Sequence, residues 1–108
     1  MDQINITEFK KIEIRIGKVT KAEKMENADK LLRLQVDFGD FQRQILSGIA
    51  EWYSPEELEG KKLPFIVNLE PRTMRGEESQ GMLVAVDSED KPVLLEPSDD
   101  VPEGSEIV

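Results

Sequence analysis

Residues 12–40 read IEIRIGKVTKAEKMENADKLLRLQVDFGD, and this stretch decides the fold. Residues 12–16 alternate apolar and charged side chains, and a period of two is typical of a strand with one buried face. Gly17 interrupts the alternation and Val19 resumes it one step late, which predicts a bulge at residues 17–18. A long first strand bent at a glycine helps a sheet to curl into a small barrel.

The same stretch contains a second strand and the start of a third. Residues 25–30 are polar and are predicted to form a loop before the second strand. Glycine and aspartate at residues 39–40 then indicate a turn, and residues 42–46 are predicted to be the third strand. The alternating apolar side chains that define the second strand are Leu32, Leu34, Val36 and Phe38.

A short helix is predicted directly after the third strand. Ser54 is a favourable N-cap, Pro55 suits the first helical position, and Glu57 completes a capping box. Gly60 is predicted to end this helix after one to two turns. A second short helix is predicted at residues 8–11 near the N-terminus, with Thr7 as its cap.

Three further strands are predicted in the second half of the chain. Residues 63–69 form the fourth, residues 82–86 the fifth, and residues 93–95 a short addition. A polar loop at residues 70–78 separates the fourth and fifth strands. The acidic tail that ends at Val108 is predicted to be partly extended.

The predicted order is three strands, a short helix and two strands. This order is typical of an all-β, five-stranded Greek-key barrel of the OB type, with short extensions at both ends. Residues 1–108 are predicted to form one domain, since the chain has enough residues for one modest core. The predicted core comprises Ile12, Ile14, Ile16, Leu32, Leu34, Val36, Phe65 and Val67.

The composition narrows the classes of function. The chain has no cysteine and no histidine, which excludes disulfides, thiolate nucleophiles and zinc sites of the Cys and His type. Carboxylates remain, but their spacing matches neither a calcium loop nor a phosphate-binding loop. We therefore expect a protein that is not an enzyme and that needs no cofactor. The first residues lack the apolar centre of a secretory signal, and no segment suits a membrane span, so a cytoplasmic location is predicted.

The net charge of −9 is distributed unevenly along the chain. Residues 1–50 carry +1, residues 51–81 carry −3, and residues 82–108 carry −7. A general affinity for polyanions is therefore not expected. A local basic surface formed by the first half remains compatible with this distribution, and binding to it would depend on salt.

Three segments together resemble a known family. They are residues 12–40 as quoted above, residues 43–63 (RQILSGIAEWYSPEELEGKKL) and residues 68–85 (NLEPRTMRGEESQGMLVA). They are similar to the tRNA-binding domain at the C-terminus of many methionyl-tRNA synthetases, which also occurs in free-standing proteins. Two positions depart from the family's pattern: Met25-Glu26 replaces the common His-Pro, and Thr73 stands where a lysine is usual.

The resemblance implies an OB fold, often a homodimer, that holds tRNA by its shape and backbone. Such modules increase the affinity of a synthetase for its tRNA, so tRNA and an aminoacyl-tRNA synthetase are the implied partners. The length resembles that of a separate β subunit of methionyl-tRNA synthetase. A related branch, the CsaA-like chaperones, binds peptides, and a protein-docking adaptor is therefore the alternative function.

OB folds present ligands to strands two and three and to the loops that rim them. Arg72 and Arg75 lie in the second such loop, and the arginine fork suits phosphate. From spacing alone, an ordinary solvated loop in which they pair with the glutamates at positions 70, 77 and 78 is favoured, and the resemblance to the family reverses this order. The other candidates in this region are the polar or flexible side chains Asn68, Ser79, Gln80 and Met82.

The remaining candidate RNA-binding residues come from the first half of the chain, and routine surface charge is the alternative for each. Trp52 and Tyr53 have rings that suit base stacking, but their position before the helix favours packing in the core or in a dimer. They are therefore not included. The included residues are Lys18, Lys30, Arg33, Arg43 and Ser47.

Overall fold

The computed structural model covers residues 1–108 and contains nine strands. They are β1 (Ile14–Met25), β2 (Ala28–Asp37), β3 (Gln42–Ser47), β4 (Lys62–Ile66), β5 (Arg72–Met74), β6 (Glu77–Ser79), β7 (Met82–Leu83), β8 (Ala85–Asp87) and β9 (Pro92–Leu94). Five of them form one antiparallel sheet in the order β3-β2-β1-β4-β7, and β5-β6 and β8-β9 are separate hairpins.

Two short helices complete the fold: α1 (Ile6–Phe9) and α2 (Pro55–Leu58). The predicted helix between the third and fourth strands is confirmed as α2, with the complete capping box at Ser54. The predicted cap of the first helix is wrong, because Asn5, not Thr7, accepts the backbone N–H of Glu8. Each helix has four residues, so neither is long enough to cross a membrane.

The first two strands are longer than predicted and form one continuous hairpin. The predicted loop at residues 25–30 is wrong, because only Glu26 and Asn27 separate β1 from β2. The predicted bulge is misplaced: Gly17 pairs regularly with Leu63, and the register shifts lie between Val19 and Lys21 and between Lys24 and Met25. The pairing of the first strand is therefore irregular, but further along the strand than predicted.

One apolar cluster of twelve buried residues forms the main core. Leu32, Leu34 and Phe65 are fully buried in it, as the period-two pattern predicts. Ile12 is a wrong core assignment: it precedes β1 and is 45% exposed. Ile14 is half-buried, since the first residues of β1 lie at the border of the cluster.

The fourth and fifth predicted strands are shorter in the structure. The fourth ends at Ile66 rather than Leu69, and the fifth is divided at Val84 into β7 and β8. The predicted loop at residues 70–78 contains most of a hairpin instead. Backbone and side-chain hydrogen bonds join Gln44 on β3 to Gln80, which follows β6. Closure of the sheet into a barrel stays a prediction.

The acidic tail returns to the sheet and pairs with the start of β1. The N–H of Ile16 donates to the carbonyl of Ser105 at 2.9 Å, and the N–H of Ile107 donates to the carbonyl of Ile14 at 2.9 Å. Earlier in the tail, Lys62 Nζ lies 2.7 Å from Asp100 Oδ1. The acidic residues of the tail are thus partly matched by cations of β1 and β4.

We expect acid to release the tail near Asp100. Its hydrogen bond and ion pair with Lys62 hold the pKa of Asp100 below its ordinary value and raise the pKa of Lys62. The stability from this pair is therefore present above the ordinary carboxyl pKa and is lost as pH falls through the depressed pKa of Asp100. NMR titration of the Asp100 side chain measures this, with Asp99→Asn as the control and Asp100→Asn as the variant that removes the pair. An ordinary carboxyl midpoint would contradict the pairing.

Candidate nucleic-acid interface

The hairpin β5-β6 carries both arginines of the predicted binding loop. Its strands pair Arg72 with Ser79 and Met74 with Glu77, leaving Arg75-Gly76 as a two-residue turn. The φ angles of these turn residues are 52° and 80°, a left-handed geometry that matches the twist of a tight hairpin. The turn therefore fixes the direction of the chain and places Arg75 at the tip.

Hydrogen bonds hold this hairpin against β3. The Oγ of Ser79 accepts the N–H of Leu46 at 3.0 Å, and the N–H of Gln80 donates to the carbonyl of Gln44 at 2.8 Å. The side-chain amide of Gln44 also donates to the carbonyl of Glu78 at 3.0 Å. The hairpin is thus attached to the sheet along β6.

A small apolar cluster lies beneath the hairpin, separate from the main core. Met25, Ala28 and Leu46 are its buried members, and Met74 packs against them from the hairpin. Met25, one of the two departures from the family's pattern, therefore has a packing role. The hairpin is attached by hydrogen bonds and by apolar contacts. It is therefore a rigid support for its two arginines.

Arg72 and Arg75 are exposed and form no ion pair. Their guanidinium groups make one side-chain hydrogen bond, which Arg72 Nη2 donates to the sulfur of Met74 at 3.7 Å. The alternative in which both arginines pair with the glutamates around them is therefore wrong. Two full positive charges remain available on one hairpin.

Arg33 has the opposite arrangement. Its Nη1 lies 2.6 Å from Glu77 Oε2, and its Nε lies 3.6 Å from Glu23 Oε1. The hydrogen bond to Glu77 is the main reason why the pKa of Arg33 is raised. Arg33 thus joins β2 to the hairpin, and its charge is largely compensated inside the protein.

A cleft of about 370 Å³ lies between the β1-β2 turn and the hairpin. It is lined by three cations and three carboxylates, and Arg33 with its two partners accounts for half of them. Lys24 and Arg75, in contrast, form no ion pair there. In the sequence, Lys24 is one of several lysines that flank the first loop and could bind phosphate, but no motif sets it apart, so it is not among the predicted site residues.

Arg33 and Arg43, both predicted to contact RNA, do not share a face of the sheet. Directly opposite residues of an antiparallel pair share a face, and Arg43 lies opposite Val36, a core residue, whereas Arg33 lies opposite Leu46. The guanidinium of Arg43 sits 4.5 Å from the centre of the Phe41 ring. Arg43 is therefore on the other face of the sheet from Arg33.

Two of the polar residues that were predicted to bind RNA form hydrogen bonds within the protein instead. Asn68 accepts the N–H of Glu13 at 2.9 Å and donates to the carbonyl of Lys11 at 2.6 Å, so it ties the N-terminal segment to the end of β4. Ser79 is 2% exposed and also donates to the carbonyl of Gly81. Both positions are explained by structure, without a ligand.

The structure places the other predicted residues at the edges of the site or away from it. Gln80 adjoins the hairpin, and Met82 is exposed on β7. Lys30 is exposed and lies 4.0 Å from Glu51. Lys18 lines a different cleft, beside the tail, and Ser47 lines a groove with Asp87 and Asp90.

Comparisons with known proteins give a consistent result. The family described as "Putative tRNA binding domain" matches residues 14–106. Methionine–tRNA ligase of Archaeoglobus fulgidus is 49% identical over 106 residues, covering 98% of this chain and 16% of that protein. The corresponding enzyme of Methanocorpusculum labreanum is 51% identical over 104 residues, covering 96% and 15%. The chain thus spans about one sixth of the length of these curated relatives.

Solved structures give the same fold. A MetRS-related protein from Pyrococcus horikoshii is 45% identical, with a TM-score of 0.94 and full coverage of both chains. The chaperone CsaA from Bacillus anthracis is 31% identical, with a TM-score of 0.89 over 99% of this chain and 100% of that one. The family and the MetRS-related protein together indicate a binding module that is not catalytic. The chain belongs to the tRNA-binding domain family that is homologous to the C-terminal region of methionyl-tRNA synthetases.

Proposed function

We propose that this chain binds tRNA through the hairpin β5-β6, with Arg72 and Arg75 as the main phosphate contacts. The observation that carries this is the presence of two exposed, unpaired arginines on a hairpin that is otherwise anchored to the sheet. Arginine presents a planar fork that binds a phosphate through two parallel hydrogen bonds. Contacts of this kind read the position of the backbone and not the base sequence.

Other residues support this proposed contact in lesser roles. Lys24 adds a free charge at the mouth of the cleft, and Lys30 adds a further exposed charge on β2. Arg33 positions the hairpin through Glu77, so its effect on RNA is mostly indirect. Gln80 and Met82 flank the hairpin and suit contacts to sugar or base. Lys18, Arg43, Ser47, Asn68 and Ser79 have no comparable position, and we assign them no contact.

A titration of tRNA by gel shift at several salt concentrations tests the proposal. We expect saturable binding at low salt, with a log–log slope of about −0.7 to −0.9 for each phosphate neutralised. Two arginines and one lysine predict a slope of about −2 to −3, far smaller than for strongly basic proteins. No saturable binding at low salt would overturn the proposal.

The wider assignment follows from the relatives. We propose that the chain acts beside an aminoacyl-tRNA synthetase in the cytoplasm, as an accessory or β subunit of methionyl-tRNA synthetase. The relatives that support this are methionine–tRNA ligases in which the matching region is a small part of the chain. Co-purification of the two proteins after treatment with ribonuclease tests the direct contact. A link that disappears with the RNA would mean that tRNA alone connects them.

We further propose a homodimer formed by the apolar face where the two chain ends meet. Phe9, Ile12 and Ile107 are each about half exposed there and line one surface depression. Phe9→Asp should give a monomer, because it places a charge in the proposed contact. Light scattering measures this, with Val93→Asp as a control at a similarly exposed apolar residue. A wild-type protein that stays monomeric at all concentrations would contradict the proposal.

The second candidate function is peptide binding of the CsaA type. The observation that favours it is the likeness to chaperones from Bacillus anthracis and Picrophilus torridus, at TM-scores of 0.89 in both cases. Suppression of the aggregation of an unfolded test protein separates the two candidates. Activity there without tRNA binding would favour the chaperone, and tRNA binding without it favours the main proposal.

A further inference from the structure

A groove on the side of Trp52 is unrelated to the hairpin β5-β6. It has a volume of about 390 Å³ and lies between the residues after β3 and the hairpin β8-β9. Trp52 and Val86 are 41% and 45% exposed, so the groove offers an indole and an aliphatic side chain to a ligand. Of the two predicted alternatives for Trp52, packing in the core is therefore wrong, and packing in a dimer stays a prediction. We call this surface the Trp52 groove and define it by Trp52, Val86, Asp87, Glu89 and Asp90.

Most of the charged side chains that line the Trp52 groove are negative. Asp87, Glu89 and Asp90 are exposed and take part in no ion pair. The one cation that lines the groove, Lys91, has its ammonium 5.3 Å from the centre of the Tyr53 ring. Three carboxylates without an ion pair therefore line the same groove as an exposed indole and a single lysine, and phosphate groups would be repelled from this surface.

We propose that the Trp52 groove docks a basic segment of a partner protein, one that carries arginine or lysine beside an apolar side chain. The cations of such a segment are complementary to the three carboxylates. A guanidinium also stacks favourably on an indole, and the aliphatic surface of Val86 accepts the apolar side chain. Charge complementarity selects this occupant over nucleic acid and over an anionic membrane surface.

This inference goes beyond tRNA binding and does not depend on it. The Trp52 groove shares no lining residue with the cleft between the β1-β2 turn and the hairpin β5-β6, so the two surfaces can be occupied separately. The arrangement gives the domain a hairpin with two unpaired arginines for RNA and a separate groove rich in carboxylates for protein. It also supplies a site for the protein-docking alternative.

Fluorescence tests the proposal directly, because Trp52 is the single tryptophan of the chain. The probe is a seven-residue peptide of alternating arginine and leucine, which contains no aromatic residue. We expect a saturable change in Trp52 emission that weakens as salt rises. The same peptide with glutamate in place of arginine should give no change. An equal response to both peptides, or none with the basic peptide up to millimolar concentration, overturns the proposal.

Matched variants locate the site. Glu89→Gln with Asp90→Asn should weaken binding of the basic peptide about 3- to 10-fold, as expected for two exposed charge contacts. Glu70→Gln with Asp99→Asn removes the same charge from other exposed, unpaired carboxylates and should leave the affinity unchanged. Equal loss in both pairs would show that only net charge matters. A tRNA gel shift on the same proteins reports separately on the hairpin, so failure of either proposal is visible alone.

Discussion

Replacement of both Arg72 and Arg75 by alanine should lower the affinity for tRNA about 10- to 100-fold at physiological salt. Charge-assisted hydrogen bonds contribute about 1 kcal/mol or more each, and two such losses correspond to this range. The salt dependence should fall as well, by about 1.4 to 1.8 in log–log slope, because two fewer counterions are released. Gel-shift titration at several salt concentrations measures both quantities.

The stability of the double variant should be close to that of the wild type. Both side chains are exposed and form no ion pair, so their removal costs no internal contact apart from that of Arg72 with Met74. Urea unfolding checks this. Lysine at both positions should restore the slope but only part of the affinity, since an ammonium binds phosphate as a point charge.

A control with the same change in net charge separates local from general electrostatics. Lys61→Ala with Lys91→Ala removes two cations that lie away from the hairpin, beside Glu96 and Tyr53. We expect less than a twofold effect on tRNA binding, since exposed and distant charges are screened at physiological salt. Full affinity in the Arg72 and Arg75 variant would show that the interface lies elsewhere.

The sheet could be predicted from the sequence because burial on one side leaves a period of two. β2 carries this period, and α2 carries a complete set of capping signals. The hairpin β5-β6 carries neither, since most of its side chains stay exposed or half-exposed. Its strand pairing depends on the turn and on contacts with β3, which leave no periodic pattern in the sequence. Residues 70–78 were therefore predicted to be a loop.

The candidate site was predicted less well because its contacts join distant parts of the chain. Arg33 and Glu77 are 44 positions apart, and no local pattern indicates that they pair. The two-residue turn at Glu26 and Asn27 was hidden by its polar neighbours, so the cleft beside it was not foreseen. The arginines of the hairpin were selected correctly as exposed cations, but their role in RNA binding stays a prediction.

Register explains why Arg43 was placed wrongly. Arg33 and Arg43 look equivalent in the sequence, as cations in two neighbouring strands. The turn between β2 and β3 sets the pairing, and Val36 thereby stands opposite Arg43. A shift of one residue in a hairpin moves every side chain to the other face. The alternation within one strand does not reveal that shift.

Gly17→Ala should destabilise the fold by about 1–3 kcal/mol, the usual cost of extra volume in a packed core. A Cβ at this position would lie 2.6 Å from Cε1 and 2.9 Å from Cζ of Phe38, and it would also overlap the side chain of Val36. Both neighbours are almost fully buried. The Phe38 ring is further confined by Phe41 at 5.1 Å and by Phe65 at 5.7 Å between ring centres, so it has little room to move.

Gly48→Ala is the matched control, because its nearest neighbour would be the carbonyl of Lys30 at 4.0 Å. We expect a change within about 0.5 kcal/mol there, and urea unfolding measures both variants. Gly17 interrupts an apolar alternation, which suggests a bulge, yet its backbone pairs regularly with Leu63. The glycine is therefore required by the ring that packs on it and not by the backbone. A Gly17→Ala protein as stable as the wild type would mean that β1 tolerates a side chain there and that the contact with Phe38 is not limiting.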